Sequence, residues 1–256
     1  MYERRFCIRL LLISYMIQFF QIIVLLNVVS LRPDPGNTQV FFHGSRVEKN
    51  IALTFDACPS STHGGFDKRI VQTLIDSGVP ATFFLSGKWI TRHQNEVKKL
   101  ALVPGFELGN HSYSHPHCTT ISNESIRQEL ERTESLLNAM SGLSPKLFRP
   151  PFAETNHRVD SITQDIGLAT VMFDLASVDP DSTISTARLI HYVVANTRNG
   201  SIIVMHVNGR GWHTSEALPK IIQALRIKGF VFSKVGDLLK KQANAGKSFI
   251  ERKNRQ

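Results

Sequence analysis

The chain has 256 residues, 42% of them hydrophobic and 20% charged, with a net charge of +9. Those proportions suit a globular fold with a sizeable core and exclude full disorder. Three cysteines, Cys7, Cys58 and Cys118, are too few for a disulfide scaffold. A basic face would suit a polyanionic partner, but here the basicity sits at the two ends. Arg4, Arg5, Arg9 and Arg32 oppose Glu3 in residues 1–32. Lys240, Lys241, Lys247, Arg252, Lys253 and Arg255 oppose Glu251 in residues 240–256. The stretch between is close to neutral, so no nucleic-acid partner is expected.

At the N-terminus, Arg4, Arg5 and Arg9 precede a mostly apolar run from Leu10 to Val29. That run is 20 residues long, the length of a helix that crosses a bilayer. A signal-peptide core is shorter, roughly 7–15 residues, although Val28-Val29-Ser30 offers a weak cleavage site. Residues 1–32 are therefore read as an N-terminal hydrophobic helix, a signal anchor or a signal peptide. The preceding arginines orient the rest of the chain outward. The expected location is exported: membrane-anchored through this segment, or secreted or periplasmic if it is cleaved. Residues 33–48, opening on Pro33, Pro35 and Gly36, read as a linker. A folded domain is expected over 49–239, followed by a basic tail over 240–256.

Within that domain, β-rich apolar runs recur at Ile51–Phe55, Ala81–Leu85, Phe106–Gly109, Lys146–Phe148, Ala169–Phe173, Ser201–His206 and Phe230–Phe232. Helical stripes lie between them. Phe66, Ile70 and Leu74 make one; Ile126, Leu130, Thr133, Leu137 and Met140 another; Leu218, Ile221, Ile222 and Leu225 a third. Gly78, Gly142, Gly167, Gly200 and Gly229 follow helical stretches as C-terminal caps do. Strand–helix alternation implies an α/β fold with a mainly parallel sheet. About seven strands predict a distorted, incomplete (β/α) barrel, with a doubly wound sheet as the rival.

In both architectures ligands bind at the C-terminal ends of strands. Seven ionisable residues are expected there: Asp56, His111, His115, Arg149, Asp174, Asp179 and His206. His111 and His115 stand four apart, a spacing that on one helical turn would let both imidazoles chelate a divalent cation. Neutral imidazoles favour zinc or a similar metal over magnesium or calcium. Asp56 can act as general base and His206, from another strand, as general acid. Arg149 can orient Asp56, and Asp179 can hold the His206 tautomer. This set suits hydrolysis of an acyl group.

Thr54-Phe55-Asp56, Asn110-His111-Ser112 through His115, Arg149-Pro150-Pro151-Phe152 and Ile203-Val204-Met205-His206 resemble, in order, the motifs of polysaccharide deacetylases. This family is the NodB-homology domain, or carbohydrate esterase family 4. The resemblance covers roughly residues 49–239. It implies a distorted barrel that removes N- or O-acetyl groups from an acetylated glycan with a divalent metal, zinc being favoured. It also implies Asp56 as base, His111 and His115 as metal ligands, His206 as acid and Arg149 beside the base. Pro150, Pro151 and Phe152 are expected to contact substrate.

Three positions depart from the family pattern. Its first motif normally reads Thr-Phe-Asp-Asp, whose second Asp is the third metal ligand; here that position is Ala57. Cys58, His63 or Asp67 could supply another donor, or Asp56 could move onto the metal. A catalytically impaired, carbohydrate-binding pseudoenzyme on the same fold is the alternative function. The third motif usually ends in Gly, here Ala153, and a Trp that usually follows the motif-four Asp is replaced by Pro180. Phe152 or Trp212 could replace that aromatic wall, or be buried in the core. A Cys58–Cys118 disulfide is also open.

Overall fold

The computed structural model describes residues 39–59 and 65–241. The expected N-terminal hydrophobic helix, residues 33–38 of the linker, His63 and residues 242–256 of the tail lie outside them. Among the described residues no helix is long and apolar enough to cross a membrane.

The strands are β1 (Val40–Phe41), β2 (Asn50–Ala57), β3 (Ala81–Leu85), β4 (Phe106–Asn110), β5 (Leu147–Phe148), β6 (Ala169–Val171), β7 (Leu175–Ala176), β8 (Ile202–His206) and β9 (Val231–Phe232). The helices are α1 (Lys68–Asp76), α2 (Gly87–Arg92), α3 (Gln94–Ala101), α4 (Asn123–Ser141), α5 (His157–Asp165), α6 (Thr186–Asn196) and α7 (Thr214–Ile227). The strand order is β1-β6-β5-β4-β3-β2-β8-β7, with β9 added beside the start of β2. Every ladder is parallel, and the helices pack around the sheet as an open, distorted α/β barrel. All seven expected strands are present, and the doubly wound alternative is not adopted.

The central strand β2 shows how the sequence builds the site. All eight of its residues are buried. Ile51, Leu53, Phe55 and Ala57 join the large core cluster that includes Ile70 and Leu74 of α1 and Leu218, Ile221 and Ile222 of α7. Successive side chains on a strand point to opposite faces. Ala52, Thr54 and Asp56 therefore face the barrel interior. There Ala52 packs with Phe84, Leu147, Val171 and Ile202.

Helix ends follow local chemistry. Ser122 caps α4 by accepting from the Ser125 N–H, and Gly142 closes it in the left-handed region at φ 70°. Gly78, Gly167 and Gly229 take the same positive φ just past their helices. Gly200 differs. It is three residues beyond Thr197, the C-cap of α6, and serves as a close-approach turn into β8. A β-carbon on it would come within 2.5 Å of the Ser45 carbonyl oxygen.

Three expectations are corrected. Residues 39–48 are part of the fold rather than linker. β1 pairs with β6, Gly44 N–H donates to the Gly200 carbonyl (2.7 Å), and Arg46 pairs with Asp174 at 2.8 Å. The strand expected over Ala169–Phe173 is also shorter than read, and the residue after the run is not at the site. β6 stops at Val171, the chain steps back, and β7 rises beside β8 with Leu175 level with Ile203. That step carries Asp174 to the foot of β8, where it accepts from the Ile202 N–H (2.8 Å) and the Ser201 hydroxyl (3.0 Å). Asp174 therefore belongs to the opposite end of the barrel from the candidate site. At the chain's far end residues 235–241 are helical, and Val235, Leu238 and Leu239 fill the inner core, across the domain boundary expected at 239.

Candidate active site

Strand register assembles the site. Asp56 at the end of β2 lies directly beside His206 at the end of β8. Asn110 ends β4 opposite Phe148 of β5, so His111 and Arg149 each stand one residue past a paired strand end. A cavity of about 250 Å³ opens there, lined by Asp56, Cys58, His111, His115, Arg149 and His206 among others.

Arg149 and Asp56 form a buried ion pair. The guanidinium is 1% exposed and donates to Asp56 Oδ1 at 2.7 Å and to Thr54 Oγ1 at 2.8 Å. It also donates to the Met172 carbonyl (3.2 Å) and lies 4.1 Å over the Phe84 ring. Burial alone would raise the Asp56 pKa, but the Arg149 charge, then His111 and His206, more than offset it. Asp56 is held below the usual carboxylate range, and so is ionised at neutral pH.

His206 is the complementary group. Its Nδ1–H donates to Asp179 Oδ1 at 2.9 Å, which leaves Nε2 as the ring's other nitrogen. Asp179 is fixed in turn by the His206 N–H (2.8 Å), the Thr214 hydroxyl (2.7 Å) and the Ser177 hydroxyl (3.0 Å). Burial would lower the His206 pKa, yet Asp179 outweighs it and raises the value above the ordinary one. Val178, between Ser177 and Asp179, adopts φ 65°, a costly conformation for a β-branched residue.

His111 and His115 meet without a helix. Residues 111–117 form a loop in which Ser112 and His115 take φ 60° and 63°. Glu129 of α4 holds that loop by accepting from the Tyr113 and Ser114 N–H groups (2.8 and 2.7 Å). The expected helical turn is thus replaced by a loop pinned from outside, and the two rings still approach to 4.9 Å between centroids. Burial pushes both imidazoles down, His115 to about 3, which keeps the rings neutral, each with one lone-pair nitrogen.

At the first motif, Ala57 is fully buried in the core cluster and offers no donor. Cys58 turns back toward the cavity, with Sγ 3.6 Å from His111 Nε2. Burial, then the nearby Asp56 charge, pushes its thiol up to about 12. Cys58, His111 and His115 place one donor atom each within 4.8 Å of one another, a set able to hold a metal ion. Asp67 is not part of it: it caps α1 and binds Arg69. Cys58 and Cys118 are both free thiols, so the disulfide is absent. Cys118 sits in a separate apolar cluster with Ile126, Leu130 and Phe148.

Pro150 and Phe152 line the cavity, while Pro151 is buried at the start of a tight turn. Phe152 is half exposed, stacks on His117 at 3.9 Å and meets His115 edge-on at 4.5 Å. Trp212, on the loop after β8, is also half exposed. Neither aromatic is core. Arg210 was not foreseen. It lines the cavity and approaches the Cys58 thiol, but no motif spacing marks it. Glu129 was missed for the same reason, as an ordinary acidic residue on a helix.

A family model for polysaccharide deacetylase matches residues 43–171. The chain belongs to the polysaccharide deacetylase family. Over 194 residues it is 32% identical to a peptidoglycan-N-acetylglucosamine deacetylase of Bacillus cereus, covering 75% of this chain and 68% of that protein. It is 31% identical over 191 residues to a bifunctional xylanase/deacetylase of Pseudobutyrivibrio xylanivorans, covering 75% of this chain but only 30% of that protein. Among solved structures, a carbohydrate esterase family 4 pseudoenzyme from Bacillus anthracis superposes with a TM-score of 0.71 at 27% identity, over 79% of this chain and 69% of its own. A mutant of that pseudoenzyme has restored enzymatic activity. The polysaccharide deacetylase fold thus hosts both active and inactive members, and the site must decide between them.

Proposed function

We propose that this polysaccharide deacetylase is a metal-assisted hydrolase that removes acetyl groups, N-acetyl foremost, from a polysaccharide or other acetylated glycan. One observation carries the reading: neighbouring strand ends hold an ionised Asp56 and a His206 biased toward its protonated form across one cavity. These are the protonation states that a general base and a general acid require. The imidazoles of His111, buried, and His115, half-buried, fit a divalent cation, because each is kept neutral. Such a cation, when bound, supplies Lewis acidity toward an acetyl carbonyl.

The chain's own groups divide the rest of the reaction. Asp56 takes a proton from the attacking water, and Arg149 keeps that carboxylate oriented and charged. His206 delivers a proton to the departing amine or alcohol, and Asp179 fixes its tautomer. Pro150, Phe152 and the stacked His117 form a surface against which a sugar face can lie. The N-terminal arginines and apolar run support an exported location, with the domain outside the cytoplasm.

The second reading, a carbohydrate-binding pseudoenzyme, is favoured by Ala57 and by the inactive structural relative. Incubation of the purified chain with acetylated chitooligosaccharide and with peptidoglycan decides between them. Acetate release that a chelator abolishes and zinc restores supports the hydrolase. Glycan binding without any acetate release supports the pseudoenzyme.

A further inference from the structure

The hydrolase reading leaves the third metal donor unassigned, and the following inference rests on that reading. Residue 57 ends β2 with its side chain in the core between sheet and helices. The strand's alternation then returns the next side chain to the inner face, where Asp56 also points. Cys58 accordingly lines the cavity together with Asp56, His111 and His115. Its backbone is fixed as well, because Asn208 Nδ2 donates to the Cys58 carbonyl at 2.8 Å.

The hydrogen bonding shows which atoms face one another. His111 Nδ1 lies 2.7 Å from the Arg149 carbonyl oxygen, which can only accept. Nδ1 therefore carries the proton, and Nε2 presents its lone pair to Cys58 Sγ at 3.6 Å. An outer carbonyl that fixes the tautomer is the usual support of a metal-binding histidine. The edge of a zinc tetrahedron between a sulfur and a nitrogen ligand is about 3.6 Å, from bond lengths of about 2.3 and 2.05 Å. The Cys58–His111 spacing matches that edge.

Asp56 is the rival third donor, with Oδ2 4.0 Å from His111 Nε2. It is already engaged by Arg149 through Oδ1, and moving it onto a metal would remove the base.

We propose that Cys58 is the third protein ligand of a Cys–His–His zinc site, in place of the carboxylate that Ala57 cannot supply. Three protein donors with one position left open is the arrangement of catalytic zinc. A thiolate beside two imidazoles selects zinc or cobalt over magnesium, calcium and manganese, which prefer oxygen. The substitution would thus change the metal preference of the site and keep the base free.

The test uses the full chain, stripped of metal by chelation and titrated with Co(II) and with Zn(II). One equivalent of Co(II) is expected to bind and to give a near-ultraviolet thiolate-to-cobalt charge-transfer band together with tetrahedral visible bands. Cys58→Ser is expected to lose the charge-transfer band. It should also weaken zinc binding by more than the roughly 10–100-fold that loss of an outer partner costs. Cys58→Asp should recover one-equivalent binding without the band, which separates loss of a ligand from misfolding. One bound cobalt without a charge-transfer band, a Ser variant that binds zinc as tightly as the parent, or no stoichiometric metal in the parent would each overturn the assignment. Acetate release from acetylated chitooligosaccharide is measured in parallel. The band without acetate release refutes the hydrolase reading and leaves the metal site standing. Acetate release without the band refutes the metal site alone.

Discussion

The two halves of the site are built differently. In the proton-transfer half every group has its partner: Asp56 has Arg149, which Thr54 also engages, and His206 has Asp179, which is itself held by Ser177 and Thr214. In the metal half the family's donor position is Ala57, which faces the core, and the proposed donor is Cys58, one residue on, which faces the cavity. Burying charges such as Arg149 and the fourfold-bonded Asp179 is costly unless they are paired, and here both are. Intact polar networks on one side argue that the exchange on the other is a change of ligand rather than decay.

The largest expected effect tests the proton-transfer half. Asp56→Asn removes the base while keeping the shape, and should lower kcat by roughly 10²–10⁴-fold. It also leaves the Arg149 guanidinium buried without its counter-charge, so the thermal midpoint should fall in the same variant. Measured kcat and a melting curve check both. A variant that retained full activity would mean that the pairing of Asp56 is structural only.

Next in size is Asp179→Asn. Asp179 raises the His206 pKa, so the acid form persists above the ordinary histidine value and activity is lost as pH rises through the raised value. Without the carboxylate, burial is uncompensated and that pKa falls. The alkaline limb of the kcat/KM profile should therefore move to lower pH, and kcat should drop as the tautomer is freed. The acid limb should stay where it is, because Asp56 remains held below the usual carboxylate range by Arg149.

The metal half is probed by restoring the family residue. If Cys58 is the third donor, Ala57→Asp should bring no gain in zinc affinity or in acetate release, because residue 57 lies in apolar core. It should also destabilise the fold, as a buried carboxylate does. A large gain in turnover would reverse the comparison and make the metal half the impaired one.

Much of this was legible in the sequence because it rests on local pattern. The seven strands, the α4 stripe and the glycine caps other than Gly200 follow from periodicity and φ preference. Asp56, His111, Arg149 and His206 were placed by one rule, that ligands gather at strand C-termini. The rest depended on the chain's path. Asp174 read as a site residue because it follows the run Ala169–Phe173 directly, and no sequence pattern marks the step back that takes it to the start of β8. The His111–His115 spacing suggested a helical turn, but the loop is set by Glu129, 14 residues beyond His115. Residues 39–48 looked like a linker because Pro33, Pro35 and Gly36 precede them. Their pairing partners lie more than a hundred positions away, at Thr170 and Gly200. Arg210 and Glu129 carry no signature at all.

The smallest expected effect concerns Ala153, where the family pattern has Gly. Phe152 and Ala153 take φ 58° and 55° in succession, which turns the chain sharply and lifts the Phe152 ring against His117 and His115. An alanine in the left-handed region costs about 1–2 kcal/mol, which glycine would avoid. Glycine in turn loses more backbone entropy on folding, by about 0.5–1 kcal/mol relative to alanine. The two terms nearly cancel, so Ala153→Gly should change stability by about 1 kcal/mol or less, on the stabilising side, with kcat unchanged. Phe152 would then sit on a looser turn, and KM for an acetylated oligosaccharide should rise modestly while kcat holds. If KM stays constant as well, the Phe152–His117 stack is not a wall of the sugar site, and the aromatic surface beside the metal half must be sought at Trp212.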